Sequence, residues 1–201
     1  MSDISKAVKT AKAIVKDNTH GYDQENRLGP DYDCSSLVAT ALNSAGYDVP
    51  VTAYTGNLST YLKQCGFKNI NDTSVKAGDI FLTPGKHVVI AVSAKKIAHA
   101  SINEKGRTTG GQTGDQTGKE ICTRSFYTPS YGWKYHLRYD PAEAPSVPEV
   151  GCYIAPKLLT DILDGKYGVY PEREAAMKRM GLDYDTVQYL VNETIKANEG
   201  L

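Results

Sequence analysis

The chain has 201 residues, of which 23 are basic and 23 acidic, so its formal net charge at neutral pH is zero. This length accommodates one domain of ordinary size together with a small second one. Like charges form no block of about five or more, which argues against nucleic acid or an anionic membrane surface as a partner. No stretch approaches the roughly 18 apolar residues of a membrane span. A neutral, locally polar substrate is expected.

The elements predicted in the first part of the chain are two helices and several short strands. Residues 1–18 show helical spacing of apolar side chains and lack the long apolar run and cleavage site of a signal peptide. A second helix is predicted from Cys34, with Asp33 as its N-cap and Gly46 as its stop. Short apolar runs predict neighbouring antiparallel strands at 79–83, 87–93 and 96–101, and a last strand at 132–139 follows a glycine-rich loop at 103–119.

Three prolines within residues 141–150 predict a semi-rigid linker between two domains. The first domain, residues 1–140, is predicted to be α+β, with an antiparallel sheet packed on helices. The second, residues 151–201, is predicted to be a three-helix bundle. Proline at first-turn positions and glycine at stop positions put its helices near 157–164, 171–180 and 185–198.

Cys34 is the candidate nucleophile among the four cysteines. It follows a loop at the predicted start of a helix, where unpaired backbone N–H groups and the helix dipole are expected to lower its pKa. Taken alone, such a cysteine is more often a small buried apolar residue. Cys65, Cys122 and Cys152 are expected to be reduced structural thiols, because the spacing matches neither a metal motif nor a disulfide scaffold.

Two histidines are candidates for acid–base chemistry. His87 opens a predicted strand and is the best candidate for a general base. His99 lies on the next strand, and a tight turn near Ala94 and Lys95 would bring the two rings together. A second imidazole there is able to hold the tautomer of the first. Either histidine alone is equally consistent with a structural role, but two that converge on a helix-start cysteine favour catalysis.

Four segments, in this order, resemble the NlpC/P60 peptidases: DCSSLV (33–38), GDIFL (78–82), HVVIAVS (87–93) and IAHAS (97–101). The stretches HGYDQENRLGPDYDCSSLV and ASINEKGRTTGGQTGDQTGKEI resemble the phage peptidoglycan hydrolase branch of that superfamily, called amidase 5. The resemblance covers roughly residues 1–140. It implies a papain-like fold in which Cys34 is the nucleophile, His87 the base and His99 the orienting residue.

The same resemblance implies further site residues around Cys34. Tyr22 stands where family members place a tyrosine, and its hydroxyl is expected to position substrate or to build the oxyanion site with the backbone N–H of Cys34. Asp33 and Ser35 flank the nucleophile as in the family, although Asp33 equally fits a helix cap. Val89 departs from the family, which often has glycine there, so the cleft is expected to be narrower or the strand repacked.

The segment ILDGKYGVYPEREAAMKRMGLDYDTVQYLVNETI resembles a single cell-wall-binding repeat of the CW_7 type. This resemblance implies that Gly168, Glu172 and Arg173 contribute to wall binding, with Arg173 gripping carboxylate or amide groups of the ligand. The alternative is a surface ion pair of Arg173 with Glu172 or Asp164. Tyr167 replaces the usual tryptophan of the repeat and is expected in the core.

These resemblances together predict a phage endolysin that cleaves an amide bond in the peptide stem of bacterial peptidoglycan. The expected bond joins D-glutamyl or D-isoglutaminyl to the diamino acid, and the N-acetylmuramoyl-L-alanine amide bond is the alternative. A catalytically inactive wall-binding protein and an acyltransferase are the alternatives of other classes. We expect no cofactor and no metal, self-association as a way to multiply the single repeat, and synthesis in the host cytoplasm followed by holin-type export or lysis.

Overall fold

The computed structural model describes residues 3–141, 156–168 and 172–180, and residues 184, 187, 188, 191, 192, 194 and 195 near the end of the chain. The chain divides into two compact units, Met1–Pro145 and Ser146–Leu201. Their described parts contain five helices and one six-stranded sheet. The architecture is therefore mixed α and β, as the sequence predicts. The predicted linker, residues 141–150, lies outside the described residues except for Pro141.

Three helices belong to the first unit: α1 (Ile4–Ile14), α2 (Cys34–Asn43) and α3 (Leu58–Gln64). α1 begins at the N-cap Asp3, whose carboxylate accepts hydrogen bonds from the backbone N–H groups of Ser5 and Lys6. Its apolar stripe recurs at helical spacing and is buried against the rest of the unit: Ala7, Val8, Ala11 and Ile14. Helix α2, which is buried along nearly its whole length, lies at the centre of the core.

Six strands follow: β1 (Phe67–Asn69), β2 (Ile80–Thr83), β3 (His87–Ala91), β4 (Lys96–Ala100), β5 (Ile121–Ser125) and β6 (Tyr135–Tyr139). They pair antiparallel in the order β1-β6-β2-β3-β4-β5. The predictions of β2, β3 and β4 are confirmed to within two residues at each end. The predicted strand at 132–139 is confirmed as β6 but begins later, at Tyr135.

Both faces of the central strands are covered, so β3 is buried at every residue. One face packs against the helices through Ile80, Leu82, Val88 and Ile90. The other face forms a second apolar cluster around Phe81, Val89, Ala91 and Ile97, with Trp133 and Tyr127 packed against it. Val89 is thus accommodated in the second cluster, on the side of β3 opposite Val88.

The second unit contains α4 (Pro156–Leu163) and α5 (Glu172–Arg179). Ile162 and Met177 pack with Val187 and Val191 in a small core of their own, and Tyr167 packs against it as expected. The described residues from 187 to 195 are helical. Most of the predicted third helix, 185–198, lies outside the described residues, so the three-helix bundle stays a prediction.

Candidate active site

Cys34 is the first residue of α2, and a capping box fixes the helix end that carries it. The Asp33 carboxylate accepts a hydrogen bond from the backbone N–H of Ser36 at 2.7 Å, and the Ser36 hydroxyl accepts one from the backbone N–H of Asp33 at 2.9 Å. This reciprocal pairing satisfies two N–H groups that a helix start leaves without partners. The prediction of Asp33 as N-cap is confirmed.

The Cys34 side chain is buried, with 7% of its surface exposed. Burial of the thiol and, to a smaller extent, the neighbouring Asp33 carboxylate raise its pKa to about 12. The backbone N–H groups of Val88 and Ser35 donate toward the sulfur and lower the pKa, as does Arg27, but by less. The expectation of a lowered thiol pKa is therefore wrong. The start of the helix lowers the thiol pKa, but burial of the thiol and the Asp33 carboxylate raise it by more.

His87 and His99 lie on the adjacent strands β3 and β4, and both are buried. The register pairs Ile90 with Ala98, so the two rings are diagonal neighbours on the same face of the sheet. Their centroids are 5.8 Å apart and their planes meet at 82°. The predicted convergence of the two histidines is confirmed. The backbone N–H of Val88, the residue directly after His87, lowers the pKa of Cys34, so the thiol lies near the beginning of β3.

Both imidazoles are neutral at pH 7. Burial lowers the pKa of His87 to about 4, with the Asp33 carboxylate opposing the change and the Arg124 guanidinium adding to it. Burial lowers the pKa of His99 to about 3, and His87 and Arg124 contribute in the same direction. A neutral imidazole carries one N–H donor and one lone pair. Each ring is therefore able to accept a proton at one nitrogen and to donate a hydrogen bond that orients a neighbour through the other.

Aromatic side chains pack against the two histidines. His87 stacks on Trp133 with centroids 6.0 Å apart, and His99 meets Tyr127 edge-on at 6.3 Å. The Trp133 indole N–H donates to the Tyr127 backbone carbonyl at 2.9 Å, which joins the two rings. The sequence reasoning did not identify Trp133 or Tyr127. Both follow β5 in an irregular segment whose spacing carries no periodic signal.

A further contact that sequence reasoning missed joins His99 to Cys122. The Cys122 sulfur lies 3.5 Å from His99 Nε2. In contrast, His87 Nε2 and His99 Nδ1 are buried and have no hydrogen-bond partner among the described residues. The expectation that Cys122 is a reduced thiol agrees with its free sulfur. Its position opposite His99 was not apparent from spacing along the chain.

Tyr22 is buried in the loop that precedes α2, and its electrostatic environment includes Cys34. Burial raises the pKa of its hydroxyl, and the neighbouring Cys34 sulfur adds to the rise. The Gln24 side-chain amide donates to the hydroxyl oxygen at 3.1 Å. The structure thus brings Tyr22 to the neighbourhood of the thiol, as the family resemblance implies.

The Tyr22 loop is held by the glycine-rich loop that follows β4. The Asp31 carboxylate accepts hydrogen bonds from the backbone N–H groups of Gly21 at 2.7 Å and of Gly114 at 3.0 Å. Glu120, also buried, accepts one from the Tyr22 backbone N–H at 3.3 Å. A Cβ on Gly21 would lie 2.0 Å from the Gly114 carbonyl oxygen, so the close approach requires glycine. The long loop therefore has a structural part in building the site.

Ser35 and Asp33 form one polar group with Arg27, a residue absent from the sequence prediction. The Ser35 hydroxyl donates to the Asp33 carboxylate at 2.9 Å, and Arg27 Nε lies 3.2 Å from the other carboxylate oxygen. The guanidinium also donates to the Ala53 backbone carbonyl and, at 3.4 Å, to the Ser35 hydroxyl. These contacts tie the loop before α2 to the start of the helix.

A cavity of about 350 Å³ opens at this polar group. It is lined by nine residues that include the nucleophile candidate: Gln24, Arg27, Asp33, Cys34, Ser35, Tyr54, Thr55, Gly85 and Lys86. The volume lies at the lower end of the range usual for small-molecule sites.

Among the described residues, no group of three or more His, Cys, Asp or Glu is placed to hold a metal ion. No helix in the same part of the chain is long and apolar enough to cross a membrane.

In the second unit, Arg173 contacts groups other than the carboxylates considered from the sequence. Its guanidinium donates to the Gly168 carbonyl through Nε at 3.1 Å and Nη2 at 2.8 Å, and to the Gln188 side-chain oxygen at 3.1 Å. Gly168 has a φ of 68°, and Glu172 is exposed beside it. The structure therefore brings together Arg173, Gly168 and Glu172, the three residues predicted for wall binding.

The fold and the site define a mixed α+β domain with a buried helix-start cysteine, two neutral histidines on neighbouring strands and a cavity at the thiol. The family model of the endolysin-like domain matches residues 29–96 and 97–146, which is more than half of the sequence, and the chain belongs to this family. No curated protein matches the chain. Family membership supports a phage cell-wall hydrolase in general, for which peptidoglycan is the ligand.

Proposed function

We propose that this chain hydrolyses an amide bond in the peptide stem of peptidoglycan, with Cys34 as nucleophile, His87 as general base and His99 as the residue that orients His87. The observation that carries the proposal is the position of the Cys34 thiol in the cavity lining, close enough to the Val88 backbone N–H for that group to lower its pKa. Val88 is the second residue of β3, so the thiol lies near the beginning of the strand whose first residue is His87. The endolysin-like family supports the substrate.

The protonation states favour a mechanism that starts from a neutral thiol and a neutral imidazole. Because the pKa of Cys34 is about 12 and that of His87 about 4, a thiolate–imidazolium pair is not the resting state. His87 takes the thiol proton as the sulfur attacks the amide carbonyl. The imidazolium then protonates the departing amine, and a thioester remains on Cys34. Water hydrolyses this thioester, with His87 again accepting a proton.

The groups around the thiol suit stabilisation of the tetrahedral intermediate. The backbone N–H of Cys34 lies at the start of α2, where donors have no partner within the helix. We assign the second oxyanion contact to the Tyr22 hydroxyl, whose raised pKa keeps it protonated. Asp33 and Ser35 hold the helix start and the Arg27 guanidinium, so their contribution is to position the site and the bound stem.

For the scissile bond we propose the amide between D-glutamyl or D-isoglutaminyl and the diamino acid. The resemblance of segments 33–38, 78–82, 87–93 and 97–101 to the NlpC/P60 peptidases supports this choice. The cavity volume of about 350 Å³ accommodates a short peptide and not a large folded partner. Lys86 and Arg27 add positive charge to its lining, which suits the carboxylates of a peptide stem.

For the carboxy-terminal unit we propose binding to the wall through a CW_7-type surface formed by Gly168, Glu172 and Arg173. Arg173 uses three of its N–H groups within the unit. An arginine offers about five such donors, so donors remain for a ligand amide or carboxylate. Self-association would multiply this single repeat and raise its apparent affinity for an insoluble polymer.

Release of dye from labelled purified cell walls tests the proposal. Cys34→Ala is expected to abolish release and to remain folded, because the change removes the sulfur and adds no volume. Cys65→Ser is the matched control, since Cys65 is a free, partly buried thiol placed at the end of α3. Full release by Cys34→Ala would refute the mechanism. Binding to walls without any release by the unaltered protein would instead indicate an inactive wall-binding protein.

A further inference from the structure

We infer that Cys122 is a positioning residue for the proposed reaction: its sulfur fixes His99 with the ring proton on Nε2, so that His99 Nδ1 is left to accept a hydrogen bond from His87. This inference rests on the proposed function of Cys34, His87 and His99. It adds a fourth member to that group, in the order Cys34 on α2, His87 on β3, His99 on β4 and Cys122 on β5.

The sheet register places Cys122 where this role requires it. His99 and Cys122 are direct partners in the antiparallel pairing of β4 with β5. Side chains of directly opposed residues leave the sheet on the same face. The sulfur accordingly lies 3.5 Å from His99 Nε2. Cys122 is partly buried and burial raises its pKa, so the sulfur is a thiol at neutral pH and accepts through a lone pair.

The chemistry of the two neutral rings then determines the proton positions. As the general base, His87 must present a lone pair to the Cys34 thiol, so its other nitrogen carries the proton. His87 Nε2 and His99 Nδ1 are the ring nitrogens that are buried without a partner among the described residues. The rings meet edge to face at 5.8 Å, and catalytic hydrogen bonds are often long in the absence of substrate.

If His87 Nε2 is the donor, His99 Nδ1 must be the acceptor, and the His99 proton then lies on Nε2. The Cys122 sulfur is the acceptor that this proton needs. With the opposite tautomer, His99 would present a second N–H toward His87, and two donors would oppose each other. Burial and the Arg124 charge keep His99 neutral. The ring therefore carries one proton, which lies either on Nδ1 or on Nε2.

The test measures the tautomer directly and the turnover separately. Two-bond nitrogen–proton NMR spectra of the full chain are recorded for the unaltered protein, Cys122→Ser, Cys122→Ala and the control Cys65→Ala. We expect the Nε2–H tautomer of His99 in the unaltered protein, in Cys65→Ala and in Cys122→Ser, whose hydroxyl oxygen accepts the same hydrogen bond. In Cys122→Ala we expect a mixture of tautomers and a kcat lowered about tenfold at unchanged KM, the loss of one neutral hydrogen bond.

An Nδ1–H tautomer of His99 in the unaltered protein would overturn the inference, as would a kcat of Cys122→Ala equal to that of the control. Should Cys122→Ala fail to fold, the spectra of the unaltered protein and of Cys122→Ser still decide the tautomer. Failure of the proposed function gives a different result, because Cys34→Ala would then retain activity whatever the tautomer of His99.

Discussion

The protonation of Cys34 leads to a quantitative prediction for its reactivity. Only the thiolate attacks a disulfide reagent, so the rate of modification follows the thiolate fraction. With a pKa of about 12, that fraction grows tenfold for each pH unit throughout the accessible range. The rate at Cys34 is therefore expected to rise about 100-fold between about pH 7 and about pH 9. A thiol with an ordinary pKa near 8.5 would show a rise of only about 25-fold, because it ionises within this interval.

The assay treats the unaltered protein with dimethyl disulfide at a series of pH values; the thiolate takes up a methylthio group and releases methanethiolate, and mass spectrometry quantifies the modified Cys34 peptide. The change of the rate with pH is compared and not the absolute rate, because burial of the sulfur slows the reaction by the same factor at every pH. Cys65, whose pKa burial raises to about 11, is an internal comparison in each sample. A rate at Cys34 that is constant above about pH 7 would contradict a raised thiol pKa, since it would mean that the thiol is already ionised beside a protonated histidine.

Further predictions concern stability, metals and wall binding. Asp79, fully buried, accepts hydrogen bonds from Arg138 and His136, so Asp79→Asn is expected to lower the free energy of unfolding by about 3 kcal/mol in urea titrations; a loss below about 1 kcal/mol would contradict a stabilising role. Burial raises the pKa of Asp79, but those bonds lower it by more. The contribution of Asp79 to the free energy of unfolding is therefore present above its unfolded-state pKa and is lost as the pH falls through its folded-state pKa. EDTA is expected to leave dye release unchanged, and loss with rescue by zinc would indicate a metalloamidase. Deletion of residues 150–201 is expected to reduce lysis of intact walls more than cleavage of a soluble stem peptide, with folding checked by circular dichroism; equal losses would mean that the tail supports the catalytic fold. Arg173→Ala is expected to reproduce part of that loss and Arg173→Lys less of it, as measured by wall sedimentation, and unchanged binding by both would remove Arg173 from the wall-binding surface.

The sequence predicted the elements whose signals are strong and local. α2 has an N-cap, a continuous apolar face and a glycine stop, and the central strands β2 to β4 are short apolar runs between clear turn residues. β1 and β5 were missed for the opposite reason. β5 lies at the edge of the sheet, and its exposed residues at 123–125 carry no apolar alternation. Its strand conformation comes from pairing with β4, which is a tertiary effect.

Some residues of the candidate site have local sequence signals and were predicted, whereas others depend on tertiary contacts and were not. Cys34, His87 and His99 were found because each follows a recognisable boundary and the strand pairing brings the histidines together. Cys122 and Arg27 were missed because their contacts depend on which residues face each other across strands and loops. The Cys34 pKa was wrongly predicted to be lowered for a related reason. A helix start alone predicts a lowered thiol pKa, whereas the burial that raises it is a property of the folded chain.

Mass spectrometry of the products from purified peptidoglycan shows whether Cys34 performs an amide hydrolysis in the peptide stem. The unaltered protein is expected to release fragments with a new amino group on the diamino acid, and Cys34→Ala is expected to release none. A new amino group on L-alanine would keep the cysteine chemistry and move the scissile bond to the N-acetylmuramoyl-L-alanine amide. The same fragments from Cys34→Ala would mean that Cys34 is not the nucleophile, and new reducing sugar ends in place of new amines would mean that the enzyme cleaves the glycan strand.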